Sequence, residues 1–488
     1  MLIFFFFSKI QFHKLVMAHG SMHGQPLTFE LFSRYALPSK PGRSFASIIL
    51  GELARVSVPD NPLDLLVDFS YLIIDLWVRS LAEKYYPPIY DLAALLFFTL
   101  QLNSTAVAPR IISSLLPVAQ ETCLVVAEPR FKGESADFAS DIDVTQCLSV
   151  VYLSALGCLG PPAQEATASA DVDAEPAVAT NSRTNFWMTM RHDFVMFMLS
   201  AKQPEPDFHA ILSLLCTSTF PTSIGPIPPP ATVDSPGSDT AAPPTSESIG
   251  RMIVDQISTY LTQPFPWAAP GSAKLCEGRL AVLRTLTAFS TSPFGALLIA
   301  SSRTSIPRMV ALLSWAIDKL YDMDVPASMW NTTGSHDGER GEPNTPTNDG
   351  QGGESSRSLG ESQAMEVDSG PAEEKQPLAA PPRPAHSPPL EQDPVPLLFR
   401  IISRTVVLLH TLITDPRTGN AANISTKLAT NHGGPQRYQL TLARLNFAEE
   451  DLVLEAGVDS ETIELAHELL ELFVTPEDGE AVGEVFGV

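Results

Sequence analysis

Cysteine is scarce in this chain: five in 488 residues, with no CxxC pair and no Cys/His ligand spacing, so neither a zinc site nor a disulfide framework can be read. Cys123, Cys147, Cys158, Cys216 and Cys276 are odd in number, widely spaced and set mostly in apolar helical runs. They are expected to be reduced core thiols of a cytosolic or nuclear protein, where the sequons at Asn103, Asn331 and Asn423 carry no weight. Charge is also sparse at 18% of residues, and its basic half is the smaller: 31 basic against 55 acidic side chains leave −24. Such a surface repels phosphate backbones unless cations cluster, and Arg279, Arg284, Arg303 and Arg308 are scattered singly or in pairs, so direct nucleic-acid binding is not expected. Glycine-rich phosphate loops, βαβ alternation and hairpin dipeptides are missing, which removes the common nucleotide-binding and all-β architectures. HExxH, paired Asp-rich motifs and a GxSxG elbow are missing too, so no catalytic residue, metal or cofactor is assigned and no enzyme is expected.

What is present is helical periodicity. From Leu63 to Leu81 the positions Leu63, Leu66, Val67, Ile73, Ile74, Trp77 and Leu81 form a helical stripe after the start signal "DNP". Similar runs cover 90–102, 109–126, 142–159, 186–200, 207–219, 249–262, 275–301, 305–322 and 395–414. Successive apolar helix pairs of about 40 residues without a consensus word predict an all-α, HEAT/armadillo-like α-solenoid with long disordered insertions.

Composition divides the chain. Residues 161–185, 221–248 and 326–394 are rich in Pro, Ala, Ser, Thr or Gly and cannot bury enough apolar surface to offset a backbone ordering cost of about 1–2 kcal/mol per residue. They are expected to be low-complexity, Pro-rich and acidic linkers respectively. Helical repeats are expected at 27–160, 186–220, 249–325 and 395–488, the last as the candidate partner-binding region. The segment 1–26 is expected to be unstructured or a misassigned start, with Met17 or an upstream exon as the true beginning. Its opening "MLIFFFFSKIQFHKLV" lacks a positive n-region and is too short to span a bilayer, so neither a signal peptide nor a membrane segment is expected. Residues 331–393 carry twelve acidic and four basic side chains, a net −8, together with Thr345-Pro346, Ser387-Pro388 and Ser362-Gln363. Ser362 is the candidate phosphorylation site, against the plainer reading of the stretch as an uncontacted spacer.

Side chains that could carry chemistry have structural readings that outweigh the functional ones. His192-Asp193 reads as a helix-surface pair rather than part of a hydrolytic triad. Met188, Met190, Met196 and Met198, among Phe186, Trp187, Phe194 and Phe197, read as core filling before an adaptable binding groove. His410, with no second histidine at i+4, reads as a hydrogen-bonded buried or boundary residue rather than a metal ligand. At the far end, "DSETIELAHELLELF" has Asp459 or Ser460 as N-cap, Glu461 and Glu464 at the positive helix end, and Ile463, Ala466, Leu469, Leu470 and Phe473 on one apolar face. Thr475 with Pro476 starts a second helix signal. A helix of about 15 residues is marginal alone, so this end either caps the solenoid or docks on another chain. Leu465, Leu469, Leu472 and Phe473 are the expected partner-contact residues.

Three segments, "RLAVLRTLTAFSTSPFGALLIASS" (279–302), "LLFRIISRTVVLLHTLI" (397–413) and "DSETIELAHELLELFVTPEDGEAV" (459–482), resemble the C-terminal region of the ATR-interacting protein family. The resemblance covers 275–322 and 395–486 most closely and the earlier helices loosely. It implies a nuclear, non-catalytic adaptor of the DNA damage checkpoint. Such an adaptor binds an ATR-type phosphatidylinositol-3-kinase-related kinase and reaches replication protein A through an N-terminal acidic motif, which is not seen here; nor is the family's dimerising coiled coil. Ser362-Gln363 matches the dipeptide such kinases prefer. The competing expectations are a general α-solenoid scaffold in trafficking or transcription, and a helical enzyme with a polar pocket of converging titratable groups.

Overall fold

The computed structural model describes residues 9–21, 26–55, 62–134, 141–159, 182–228, 245–322, 393–430, 434–447 and 457–472. The chain divides into one unit of residues 1–325 with 389–488 and a second, 326–388, which lies outside the described residues, as does the candidate site Ser362. Most of 161–185, all of 229–244 and the second C-terminal helix signal at Thr475 also lie outside them.

Among the described residues the secondary structure is helical, with one isolated antiparallel bridge between Ala36 and Ser44. The N-terminal part holds α1 (Lys9–Met17), α2 (Thr28–Arg34), α3 (Phe45–Arg55), α4 (Pro62–Ala82), α5 (Ile89–Leu102), α6 (Ser104–Lys132) and α7 (Val144–Gly157). Helix α1 falls in the segment expected to be unstructured. It forms because Phe12 and Val16 find a buried place on the repeat, Phe12 meeting Phe69 of α4 edge-on at 5.2 Å. The middle holds α8 (Ser182–Thr189), α9 (His192–Met198), α10 (Glu205–Leu215), α11 (Ser246–Thr259), α12 (Ala273–Ser290), α13 (Pro293–Ser301) and α14 (Ser305–Asp322). The C-terminal part holds α15 (Val395–Thr414), α16 (Gly419–Ala422), α17 (Ile424–Ala429), α18 (Gly434–Phe447) and α19 (Ser460–Glu471).

Helices α5, α7, α10, α12, α15 and α19 touch one another in series, and α4, α6 and their successors lie against them, the alternation that defines an α-solenoid. The long α6 shows how tertiary burial overrides local preference. It contains Pro109, Pro117 and Pro129, each removing a helix hydrogen bond at about 3 kcal/mol. Ile111, Leu115, Leu116, Val118, Cys123 and Val126 are buried along it, at about 1.5–3 kcal/mol per large side chain, and that sum exceeds the proline cost. Trp77 of α4, fully buried, donates its Nε1–H to Thr122 Oγ1 of α6 at 2.9 Å.

Two apolar runs expected to be single helices are broken. Run 275–301 divides into α12 and α13 because Ser292 caps a new helix, its Oγ accepting from Gly295 N at 3.0 Å, and Pro293 at the first position cannot continue the old one. A Cβ at Gly295 would lie 2.2 Å from Phe289 O, so only glycine fits this turn. Run 186–200 divides into α8 and α9 for a different reason. Gln120 of α6 accepts from Arg191 N at 2.7 Å and donates to Thr189 O at 3.3 Å, supplying at the break what the helix would otherwise supply. The methionine-rich segment packs inward there, with Met190 and Met198 buried beside Phe186, Trp187 and Phe194, while Met188 is exposed.

A candidate docking surface on the terminal helices

The last helix is delivered to its place by a glycine. Gly457 has φ of +142°, and a Cβ there would meet Phe399 of α15 at 2.9 Å, so the backbone lies directly on that ring. Val458 is buried next to it, and Asp459 caps α19, its carboxylate accepting from Thr462 N at 2.7 Å. The hydrogen bonds from Thr462 hold the Asp459 carboxyl below its ordinary value.

Along α19, Thr462, Ala466 and Leu469 are buried against α15 and α18, while Ile463, Leu465 and Leu470 are half-buried. Tyr438 of α18 is enclosed, and its hydroxyl donates to Leu469 O at 3.2 Å, satisfying one of the carbonyls that a helix C-terminus leaves unpaired. His410 of α15 sits 2.7 Å from Glu468 of α19 through its Nε2, a boundary histidine tied to the neighbouring helix. The outward face is acidic: Glu461, Glu464, Glu468 and Glu471 are exposed, with His467 3.1 Å from Glu471. Each of the three packed helices also leaves one large apolar side chain in solvent: Val407 of α15 at 42%, Leu440 of α18 at 62% and Leu472 beside α19 at 57%.

The expected contact residues therefore have different places. Leu469 is fully enclosed and holds α19 to its bed. Leu465 is half-buried at the edge, Leu472 stands in solvent, and Phe473 lies outside the described residues. Leu440 and Val407, which no reading of the sequence singled out, are exposed as Leu472 is. Their only signal is an apolar residue off the buried stripe of a strongly amphipathic helix, as Val407 is on α15.

Elsewhere the chemistry-bearing residues are engaged in the fold. Asp193 is taken by the Arg191 guanidinium at 3.1 and 2.5 Å, which holds the carboxyl below its ordinary value, so no triad is oriented there. Among the described residues no group of three or more His, Cys, Asp or Glu side chains is placed to hold a metal ion. A cleft of about 370 Å³ between α3 and α4 mixes Lys40, Arg43 and Arg79 with Glu52, Asp68 and Asp75, and Arg79 pairs with Asp75 at 2.6 Å. Cys123, Cys147, Cys158 and Cys276 are buried free thiols and Cys216 is half-buried; burial pushes Cys158 up to about 12 and Cys276 up to about 11. Asn103 and Asn423 are helix caps, accepting from Ala106 N and Thr426 N. Helices α6 and α15 are long and apolar enough to cross a bilayer, and here their apolar residues pack on neighbouring helices.

Comparison with known proteins covers most of the chain. Family models described as Rad26-like N-terminal domain, Rad26-like helical repeats and Rad26-like C-terminal domain match residues 12–61, 118–413 and 422–486. The first of these begins within α1, and the last takes in α18 and α19, while α15 falls in the helical-repeat match. The crystal structure of Myceliophthora thermophila Rad26, residues 373–841 of that protein, is similar at 42% identity and a TM-score of 0.68 over 95% of this chain and 99% of the solved one. No curated protein matches the chain.

Proposed function

The chain belongs to the Rad26-like family, in which Rad26 is the fungal ortholog of the ATR-interacting protein, and from that premise we propose a nuclear, non-catalytic adaptor that binds an ATR-type checkpoint kinase in the DNA damage response. The observation that carries this reading is the match of all three Rad26-like segments in chain order on a helical-repeat fold. An α-solenoid with titratable groups spent on helix contacts is suited to protein recognition over an extended surface. The kinase contact is assigned to the terminal layer α15, α18 and α19, where Leu472 and Leu440 stand in solvent and the outward face of α19 is acidic. Exposed apolar residues rimmed by charge are the usual composition of a protein interface.

Deleting α19 is a poor test, because it would uncover Tyr438 and α15. The informative variants are Leu472→Glu and Leu440→Glu in the full chain, co-expressed with the kinase and recovered by pull-down. The expected outcome is loss of the kinase, by about tenfold or more in affinity, with the thermal midpoint unchanged. Kinase retained by both variants at full yield moves the contact off this layer, and no kinase with the unaltered chain removes the adaptor reading.

A further inference from the structure

A second surface stands apart from the first by its charge. Where α14 meets α17 and α18, a cleft of about 350 Å³ is lined by Thr262, Thr304, Arg308, Leu428, Gly434 and Arg437, and no described carboxylate lines it. In a chain of net charge −24 that is unusual. Several exposed arginines elsewhere are neutralised, as in Arg34 with Glu30, Arg110 with Asp64, Arg251 with Glu247 and Arg417 with Asp415, while Arg308 and Arg437 differ from other unpaired ones in lining one cleft together.

Arg308 and Arg437 have no carboxylate within ion-pair distance among the described residues. Arg308 is fixed by one nitrogen, its Nη1 donating to Asp255 O at 3.0 Å and Ser258 Oγ at 2.8 Å at the end of α11. The nearest acid, Asp255, has its Oδ1 turned to the Ser302 hydroxyl at 2.8 Å. Nε and Nη2 of Arg308 make no hydrogen bond among the described residues, and a guanidinium with two such donors can bind phosphate through two parallel hydrogen bonds. Arg437, exposed on the first turn of α18, supplies a second cation on the same cleft.

We propose that this cleft binds a single phosphoryl group carried on a peptide segment of a partner protein. The observations favour a lone dianion over a nucleic-acid backbone. Two arginines in one cleft balance one phosphoryl group, whereas a continuous polyanion would run on across a surface of overall negative charge. The cleft is of the size that takes a small ligand group, and threonine hydroxyls at its edge add donors. This inference does not rest on the kinase-binding reading: it shares α18 with that layer, but its cations are Arg308 of α14 and Arg437 of α18.

The test uses the full chain and a pentapeptide of Gly and Ala with one central phosphoserine, followed by phosphorus NMR line broadening. The expected result is broadening by the unaltered chain. Arg437→Ala should weaken binding by about tenfold with an unchanged circular dichroism spectrum, and Arg417→Ala, on a paired arginine, should leave it unchanged. Binding should also weaken as pH falls through about 6, where the phosphoryl group loses its second charge. Equal binding by Arg437→Ala, equal loss with Arg417→Ala, or no binding by the unaltered chain overturns the proposal. So does inorganic phosphate competing as strongly as the peptide, which would leave an anion site without peptide recognition. A single-stranded oligonucleotide that binds more tightly, with the same dependence on Arg437, would reassign the cleft to nucleic acid.

Discussion

Asp207, 3% exposed, joins three helices, its carboxylate accepting from Arg130 of α6 at 3.0 Å and from Thr145 of α7 at 2.6 Å. Burial raises its carboxyl above the ordinary value, against the lowering pull of Thr145 and Arg130. A carboxyl that holds its proton more firmly folded than unfolded makes the folded state bind more protons just above the ordinary carboxylate range. Its contribution to stability is therefore complete at acid pH and declines as pH rises through that window. Asparagine does not titrate, so the stability of Asp207→Asn relative to the unaltered chain should increase from about pH 4 to about pH 7, read by urea unfolding. A difference that stays flat over that range would mean that the Arg130 pair cancels the burial. Nothing in the sequence marks Asp207, because its partners lie far away along the chain. The same limit applies to Leu469 and Leu472. Both were candidates for one contact surface, and only the bed made by α15 and α18 decides that Leu469 is enclosed and Leu472 exposed.

At the scale of elements, most helices were legible because apolar stripes at helical spacing survive in a single sequence: the runs 305–322 and 395–414 match the bounds of α14 and α15. The split of 275–301 was also written locally, in Ser292-Pro293 with Gly295. The split at Met190–Arg191 was not, because Gln120, which makes it, sits on another helix. Helix α1 was missed for the same reason, its burial being supplied by α4. For α19 the deciding residue is Gly457, whose φ of +142° and closeness to Phe399 set the angle at which the helix arrives. Gly457→Ala should cost about 1–3 kcal/mol from backbone strain alone and loosen α19 from α15. The check is hydrogen exchange of α19 amides, which should quicken more than those of α12. Equal exchange before and after substitution would show that Asp459 and Leu469 place the helix without the glycine.

At the scale of the whole molecule, stability is passed from neighbour to neighbour. Helices α12 and α15 touch although the 326–394 stretch separates them in sequence, so the long insertion interrupts the chain and not the stack. Sequence periodicity gave the repeat class but not this pairing, since which helix faces which is encoded in matching surfaces. In a repeat array the interior layers are covered on two sides and the terminal layers on one. Local openings then cost least at the ends, and exchange should follow position in the stack. Amides of α6, α7 and α12, which carry long runs of fully buried side chains, should exchange last. Those of α1, α2, α18 and α19 should exchange first, in mild urea as well as in water. If instead all helices exchanged at one rate with one dependence on urea, the chain would be a single cooperative core, and α19 could not present Leu472 to a partner on a layer that opens independently. A graded pattern, with the terminal layer protected by added kinase, would tie the order of stability along the stack to the surface assigned to docking.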